Sequence, residues 1–207
     1  MHHASTFFER FRQSVIWEYL EALIWAGVVA LVLTTFVVQA FKIPSGSMLE
    51  TLQIGDHLLV NKFLYGLKRP FSDEYLIRGS DPEVGDVIVF RYPEDPSLDY
   101  IKRVVGVPGD VLQMRDKVLY RNGAAVNEPY VRLSQPDVIL PRRDNWGPIT
   151  VPADKYFVLG DNRDDSQDSR FWGYVDRKAI RGKAWIIYWS SRGLSDIRPG
   201  RIGTIIR

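Results

Sequence analysis

The chain has 207 residues, with 27 Lys and Arg against 25 Asp and Glu, three His and no Cys. Without Cys there are no disulfides, no thiol catalysis and no Cys-ligated zinc or iron–sulfur centre. His2 and His3 stand at the extreme N-terminus, so only His57 is left for a folded site and a multi-histidine metal centre is excluded. The formal net charge of +2 argues against a nucleic-acid binder, and 13% aromatic residues argue against disorder.

Residues 1–21 form a polar, aromatic-bearing segment. From Ala22 to Phe41 the chain then runs without a charge, between Glu21 and Lys42. A helix of that length, at about 1.5 Å per residue, spans roughly 30 Å, the thickness of a bilayer's hydrocarbon core. A buried soluble helix would carry a polar stripe, and none is visible. A cleaved leader is the stronger rival, because Val38-Gln39-Ala40 has the small-residue form of a cleavage site. Against it, the apolar run exceeds the usual length of about 7–15 residues and a long segment precedes it. The expectation is a retained membrane helix over 22–41. Arg10, Arg12 and the amino terminus before it, against Lys42 after it, favour an N-terminus inside the cell.

Beyond Lys42 the texture is that of a β protein. His57–Tyr65, Asp86–Tyr92, Tyr100–Val107, Tyr156–Leu159 and Lys183–Trp189 are short runs of aliphatic and aromatic residues between Gly, Pro and Asp signals. Asn122-Gly123 between apolar runs predicts a hairpin, and Pro108-Gly109-Asp110 another turn. Leu67–Glu83 reads as a loop or a small excursion. The predicted fold is mainly β, an antiparallel domain over 42–207 behind one N-terminal transmembrane helix.

Three segments carry possible chemistry. The first is Pro44-Ser45-Gly46-Ser47-Met48, where Gly46 allows a tight bend that would present a hydroxyl among backbone N–H groups. Taken alone it reads as the turn that ends a membrane helix. The G-x-S-x-G elbow does not apply, since Ser45 and Leu49 occupy its glycine positions. A serine nucleophile needs a base, and the candidates are His57 and a lysine whose pKa burial has lowered. Lys102 sits with Arg103 in an apolar strand whose period of two turns the pair to opposite faces, so that one points inward. The alternative is an edge strand protected by its lysine. The third segment runs from Gly160 to Gly173 through four Asp and two Arg. It fails the EF-hand template, with Arg163, Ser166 and Trp172 at its ligand and glycine positions. Alternating Asp and Arg suggest a hydrogen-bonded network bracing a site.

In order and spacing, Ser45-Gly46-Ser47-Met48 after an anchor, Gly85 to Phe90, Tyr100-Ile101-Lys102-Arg103 through Gly109-Asp110, and Gly160-Asp161-Asn162-Arg163 through Gly173 resemble the boxes of bacterial type I signal peptidase. The resemblance implies a serine endopeptidase of the inner (cytoplasmic) membrane, single-pass, with its peptidase domain on the extracytoplasmic side, which removes signal peptides from exported preproteins. It implies Ser47 as nucleophile and Lys102 as general base, with Ser45 joining the Ser47 N–H in an oxyanion hole. Ser166 resembles the serine that orients the lysine, and Asp161, Arg163, Asp168, Arg170 and Arg103 the supporting network. Ile43, Met48, Leu52, Tyr100 and Ile101 fall where the family binds substrate side chains. The implied partners are preproteins and the lipid bilayer, without nucleic acid, metal or organic cofactor.

One departure is visible: the family usually has proline where this chain has Glu50. The substitution removes a fixed φ and brings a carboxylate that would raise the Lys102 pKa if it came close. Two other classes fit parts of the pattern. A self-cleaving regulator shares the Ser–Lys pair, but the anchor and the missing DNA-binding segment weigh against it. A catalytically dead, membrane-tethered β-domain would differ in failing to react with a serine probe. At the C-terminal end, eight Lys or Arg between Arg177 and Arg207 face only Asp196, near Trp185, Tyr188 and Trp189. That grouping suits either anionic headgroups or a buried strand with solvated cations.

Overall fold

A computed structural model describes residues 15–69, 72–193 and 196–207; the charges at Arg10 and Arg12 lie outside them. Helix α1 (Val15–Val32) continues as a π-helical turn over Leu33–Val37. Residues 17–37 are long and apolar enough to cross a membrane, and none of that stretch packs inside the protein. The Thr34 hydroxyl is satisfied within the helix by donating to the Ala30 carbonyl at 2.8 Å.

The expected span of 22–41 is corrected at both ends. The helix begins at Val15, and residues 38–41 are already strand β1 (Val38–Lys42), paired antiparallel with β2 (Asp56–Asn61) from Val38 opposite Asn61 to Lys42 opposite His57. Sheet pairing there satisfies the backbone groups that a longer helix would have satisfied internally. The Lys62 N–H closes the junction by donating to the Val37 carbonyl at 2.8 Å.

The remaining strands are β3 (Gly66–Lys68), β4 (Tyr75–Arg78), β5 (Val87–Arg91), β6 (Asp99–Gly106), β7 (Val111–Arg115), β8 (Val118–Arg121), β9 (Ala124–Ala125), β10 (Trp146–Thr150), β11 (Lys155–Leu159), β12 (Val175–Asp176) and β13 (Ile180–Ser190). They form a seven-stranded antiparallel sheet in the order β1-β2-β13-β5-β6-β11-β12, a four-stranded sheet β10-β7-β8-β9, and the two-stranded hairpin β3-β4. That hairpin is the excursion expected within 67–83. Asn122 and Gly123 both take positive φ, the geometry that a two-residue hairpin needs between β8 and β9.

Burial explains the placement of the strands. β2 alternates, with Asp56, Leu58 and Val60 inward, as a strand covered on one face does. Val87 to Phe90 of β5 are buried throughout, so that strand is covered on both faces. Leu58, Val60, Val87, Val89 and Ile187 pack with Ile43, Met48 and Leu52 from the β1–β2 loop into one core cluster. β6 runs between β5 and β11 in the sheet interior. From Lys102 to Gly106 the strand is buried throughout, so more than the one inward residue expected of this pair is enclosed: Lys102 and Arg103 are 4% and 1% exposed.

Candidate active site

The loop from Ile43 to Asp56 is closed at its base, where the Ile43 N–H donates to the Asp56 carbonyl (2.8 Å) and the Gly55 N–H to the Ile43 carbonyl (2.9 Å). Met48 and Leu52 plug it into the core, and the Leu52 N–H donates to the Met48 carbonyl at 2.8 Å. Ser47, immediately before Met48, is therefore fixed by its neighbour. Its hydroxyl accepts a hydrogen bond from Lys102 Nζ at 2.7 Å.

Lys102 also donates to the Ile101 carbonyl (3.0 Å) and lies 5.4 Å from the Tyr100 ring centroid, and among the described residues no carboxylate forms an ion pair with it. Burial pushes its ammonium down to about 8, against the upward pull of Asp168 and Asp161 and with a smaller downward push from Arg170. The cation that adds to the downward push is Arg170, while Arg103 is engaged by Asp161.

The 160–170 segment wraps this pair. The Asn162 N–H donates to the Ser47 carbonyl (3.1 Å) and its side-chain amide to the Gly46 carbonyl (3.1 Å), pinning the serine turn from outside. Gly160 makes that approach possible: a Cβ there would lie 2.5 Å from the Ser47 carbonyl oxygen and 2.2 Å from the Ser166 hydroxyl. Asp161 takes a two-pronged bond from Arg103 (2.8 and 2.7 Å) and the Thr51 hydroxyl at 2.6 Å. Asp168 takes Arg170 the same way (2.8 and 2.8 Å) together with the Gly160 N–H. Arg163 is held by Glu128 and donates to the Gly160 carbonyl. These buried, charge-assisted pairs fix the loop that touches Ser47.

The other expected residues fall as follows. Ser45 is exposed, and among the described residues neither its hydroxyl nor the Ser47 N–H donates to another group. Ser166 reaches the site but not the lysine: its buried hydroxyl has no hydrogen-bond partner and packs against Gly160. Met48 and Leu52 are fully buried beneath the serine turn, and Ile43, also buried, borders a cleft of about 630 Å³ with Pro44 and Leu49. Ile43, Met48 and Leu52 are core residues, because the apolar surface of β2, β5 and β13 needs covering beneath the serine turn. Tyr100 and Ile101 are half-buried, with Tyr100 stacked on Tyr92 at 4.3 Å. His57 makes its ring contact with Tyr188 at 5.9 Å, while Ser47 is partnered by Lys102. Glu50 is exposed and paired with Arg132, so its carboxylate is directed to the 128–132 segment.

Thr51, Glu128, Tyr130, Arg132 and Asn162 were not singled out from the sequence. Arg132 donates its N–H to the Asp161 carbonyl, and the Arg103 guanidinium lies 3.9 Å from the Tyr130 ring centroid. Asn162 stood inside a recognised motif and could have been found there. Glu128 and Tyr130 lie in Asn127-Glu128-Pro129-Tyr130, which carries no periodic signal.

A serine hydroxyl bonded to a buried lysine, set in an antiparallel sheet, is an arrangement of the serine peptidase class. Residues 16–189 match the family described as signal peptidase, peptidase S26. The chain is 38% identical to signal peptidase I of Pseudomonas aeruginosa, covering 94% of this chain and 81% of that one. It is 39% identical to signal peptidase I of Leptolyngbya laminosa, covering 90% and 86% respectively. A signal peptidase I structure from Enterococcus faecalis aligns with a TM-score of 0.43 and 32% identity, over 50% of this chain and 97% of that one. The chain belongs to the signal peptidase family, and it is a serine peptidase.

Proposed function

We propose that this chain is a membrane-anchored endopeptidase that removes N-terminal signal peptides from exported preproteins through a Ser47–Lys102 dyad. The observation that carries the reading is the 2.7 Å hydrogen bond between the two side chains, made by a lysine that has no carboxylate ion-pair partner among the described residues. Neutral Lys102 takes the Ser47 proton as Oγ attacks the scissile carbonyl, and the resulting ammonium returns that proton to the departing amine. Water, deprotonated by Lys102, then cleaves the acyl-enzyme ester and releases Ser47. The Ser47 N–H and the Ser45 hydroxyl, neither of which is spent on another acceptor among the described residues, would donate to the oxyanion. Ser166, whose buried hydroxyl is unpartnered, is the residue assigned to orient Lys102.

α1 and the turn that follows it form the anchor, the chain before it lies in the cytoplasm and the peptidase domain faces the extracytoplasmic side of the inner membrane. Exposed Trp185, Tyr188 and Trp189 on β13 support a domain resting near the bilayer.

The test is cleavage of a model preprotein by the purified chain in detergent. Ser47→Ala is expected to abolish cleavage without loss of fold. Ser45→Ala is expected to lower the rate by about 10²–10³. Normal turnover by Ser47→Ala would end the proposal.

A further inference from the structure

The cations that the sequence groups near the C-terminus are divided by the fold. Arg177 is buried on Asp81, and Arg198 and Arg201 on Asp56, where they brace loops. Arg181 instead joins Lys62, Lys68, Arg69 and Arg91 in a cleft of about 470 Å³, whose wall holds one carboxylate, Asp73, among the described residues. Asp73 is taken by Arg91 at 2.6 Å, and Glu74 and Asp99 reach Arg69 (3.4 Å) and Arg181 (3.2 Å) from outside the wall.

Among the described residues Lys62 and Lys68 form no ion pair with a carboxylate. Lys62 donates to the Thr34 and Thr35 carbonyls at the end of the helical segment, and Lys68 to the Lys178 and Ile180 carbonyls. Burial holds the Lys62 ammonium below its ordinary value, with Arg181 adding to the effect. Burial likewise pushes Lys68 down to about 8, opposed by Asp73 and reinforced by Arg181, Arg91 and Arg177. The cleft thus holds positive charge that its own residues leave uncompensated, and an anion would relieve it.

Its position indicates which anion. Thr35 and Phe36, in the last turn of the membrane-spanning segment, form part of the wall, and exposed Phe63 and Leu64 follow Lys62 in the chain. If α1 spans a bilayer, as proposed above, that turn lies at the depth of the outer leaflet's phosphates. We propose that the cleft binds the phosphate of an anionic phospholipid headgroup, with Lys62, Lys68 and Arg181 as donors. A bound headgroup would set the height and tilt of the peptidase domain against the membrane.

The test uses the full chain in detergent micelles carrying equal amounts of phosphatidylglycerol and phosphatidylcholine, with bound lipid counted by native mass spectrometry. Phosphatidylglycerol should be retained selectively, and Lys62→Gln and Arg181→Gln should each weaken retention about five-fold, the usual worth of one cation near an anionic lipid surface. Lys178→Gln, exposed and outside the cleft, should leave it unchanged. Because Lys62 also braces the end of the helix, Arg181→Gln alone decides the matter if the Lys62 variant unfolds. Equal retention of the two lipids, or retention indifferent to Arg181→Gln, overturns the proposal. Displacement by millimolar inorganic phosphate would make this a free-phosphate site and overturn the lipid assignment. Preprotein cleavage on the same samples reports separately on the peptidase reading, and release of the chain from membranes by alkaline carbonate would refute the anchor and the lipid site together.

Discussion

Lys102 on β6 and Lys117 in the turn between β7 and β8 are both buried, but the charges around them differ. Lys117 reaches the Asp164 carboxylate directly and lies 3.7 Å from Asp144, and Arg143 completes the cluster through both carboxylates. Lys102 touches a hydroxyl and a carbonyl. The carboxylates nearest to its chemistry, Asp161 and Asp168, are each engaged by an arginine of their own. Burial therefore leaves a lysine as a structural cation where a counter-charge is supplied. The proposed base stands where the neighbouring carboxylates are already engaged by arginines, so that desolvation outweighs their pull. The arginines of the 160–170 network shape the reactivity of Lys102 as well as the loop around it.

The sharpest way to break this comparison is to replace each lysine by methionine. Lys102→Met should lower preprotein cleavage by about 10³–10⁴ and leave stability to denaturant unchanged or higher, since it removes a buried cation that lacks a counter-ion. Lys117→Met should do the reverse. It leaves Asp164 and Asp144 to share Arg143 alone, so stability should fall, by up to about 3 kcal/mol, while the rate per folded molecule stays nearly constant. The two lysines would have to exchange roles if unfolding and cleavage gave the opposite pattern.

A smaller effect concerns Glu50. It stands where the family usually has proline, and its carboxylate meets Arg132 and does not contribute to the Lys102 environment. Glu50→Pro should leave the midpoint of the pH–rate profile in place and change stability by no more than about 1 kcal/mol, the range of an exposed ion pair. A midpoint that moved to lower pH would place Glu50 near the lysine.

Much of this organisation is legible in the sequence because its signals are local. Uncharged length marks the helix, β-branched and aromatic runs mark β2, β5, β6, β11 and β13, and Asn122-Gly123 marks a hairpin. The boundary at Val38 is not legible: Val-Gln-Ala-Phe suits either structure, and only the partner strand β2 decides between them. β10 escapes notice because Trp-Gly-Pro-Ile-Thr carries two strand breakers, which an edge position with a register shift between Trp146 and Ile149 tolerates. Ser47, Lys102 and the Asp–Arg loop can be located by motif. Their supports cannot, since Glu128 with Arg163 and Lys117 with Asp164 pair across long stretches of chain. Motif position singles out Met48 and Leu52, but only the packing beneath the turn shows that they belong to the core.

The central claim is that Lys102 works as a neutral amine, and the pH dependence of kcat/KM for preprotein cleavage tests it most directly. With the ammonium held near 8, about one molecule in ten carries a neutral Lys102 at pH 7. The rate should rise about tenfold per pH unit through the acid range, level off above a midpoint near 8, and keep that midpoint in His57→Ala. A midpoint between about 6 and 7 that shifts on His57→Ala would contradict the lysine base, as would a limb still rising at pH 10.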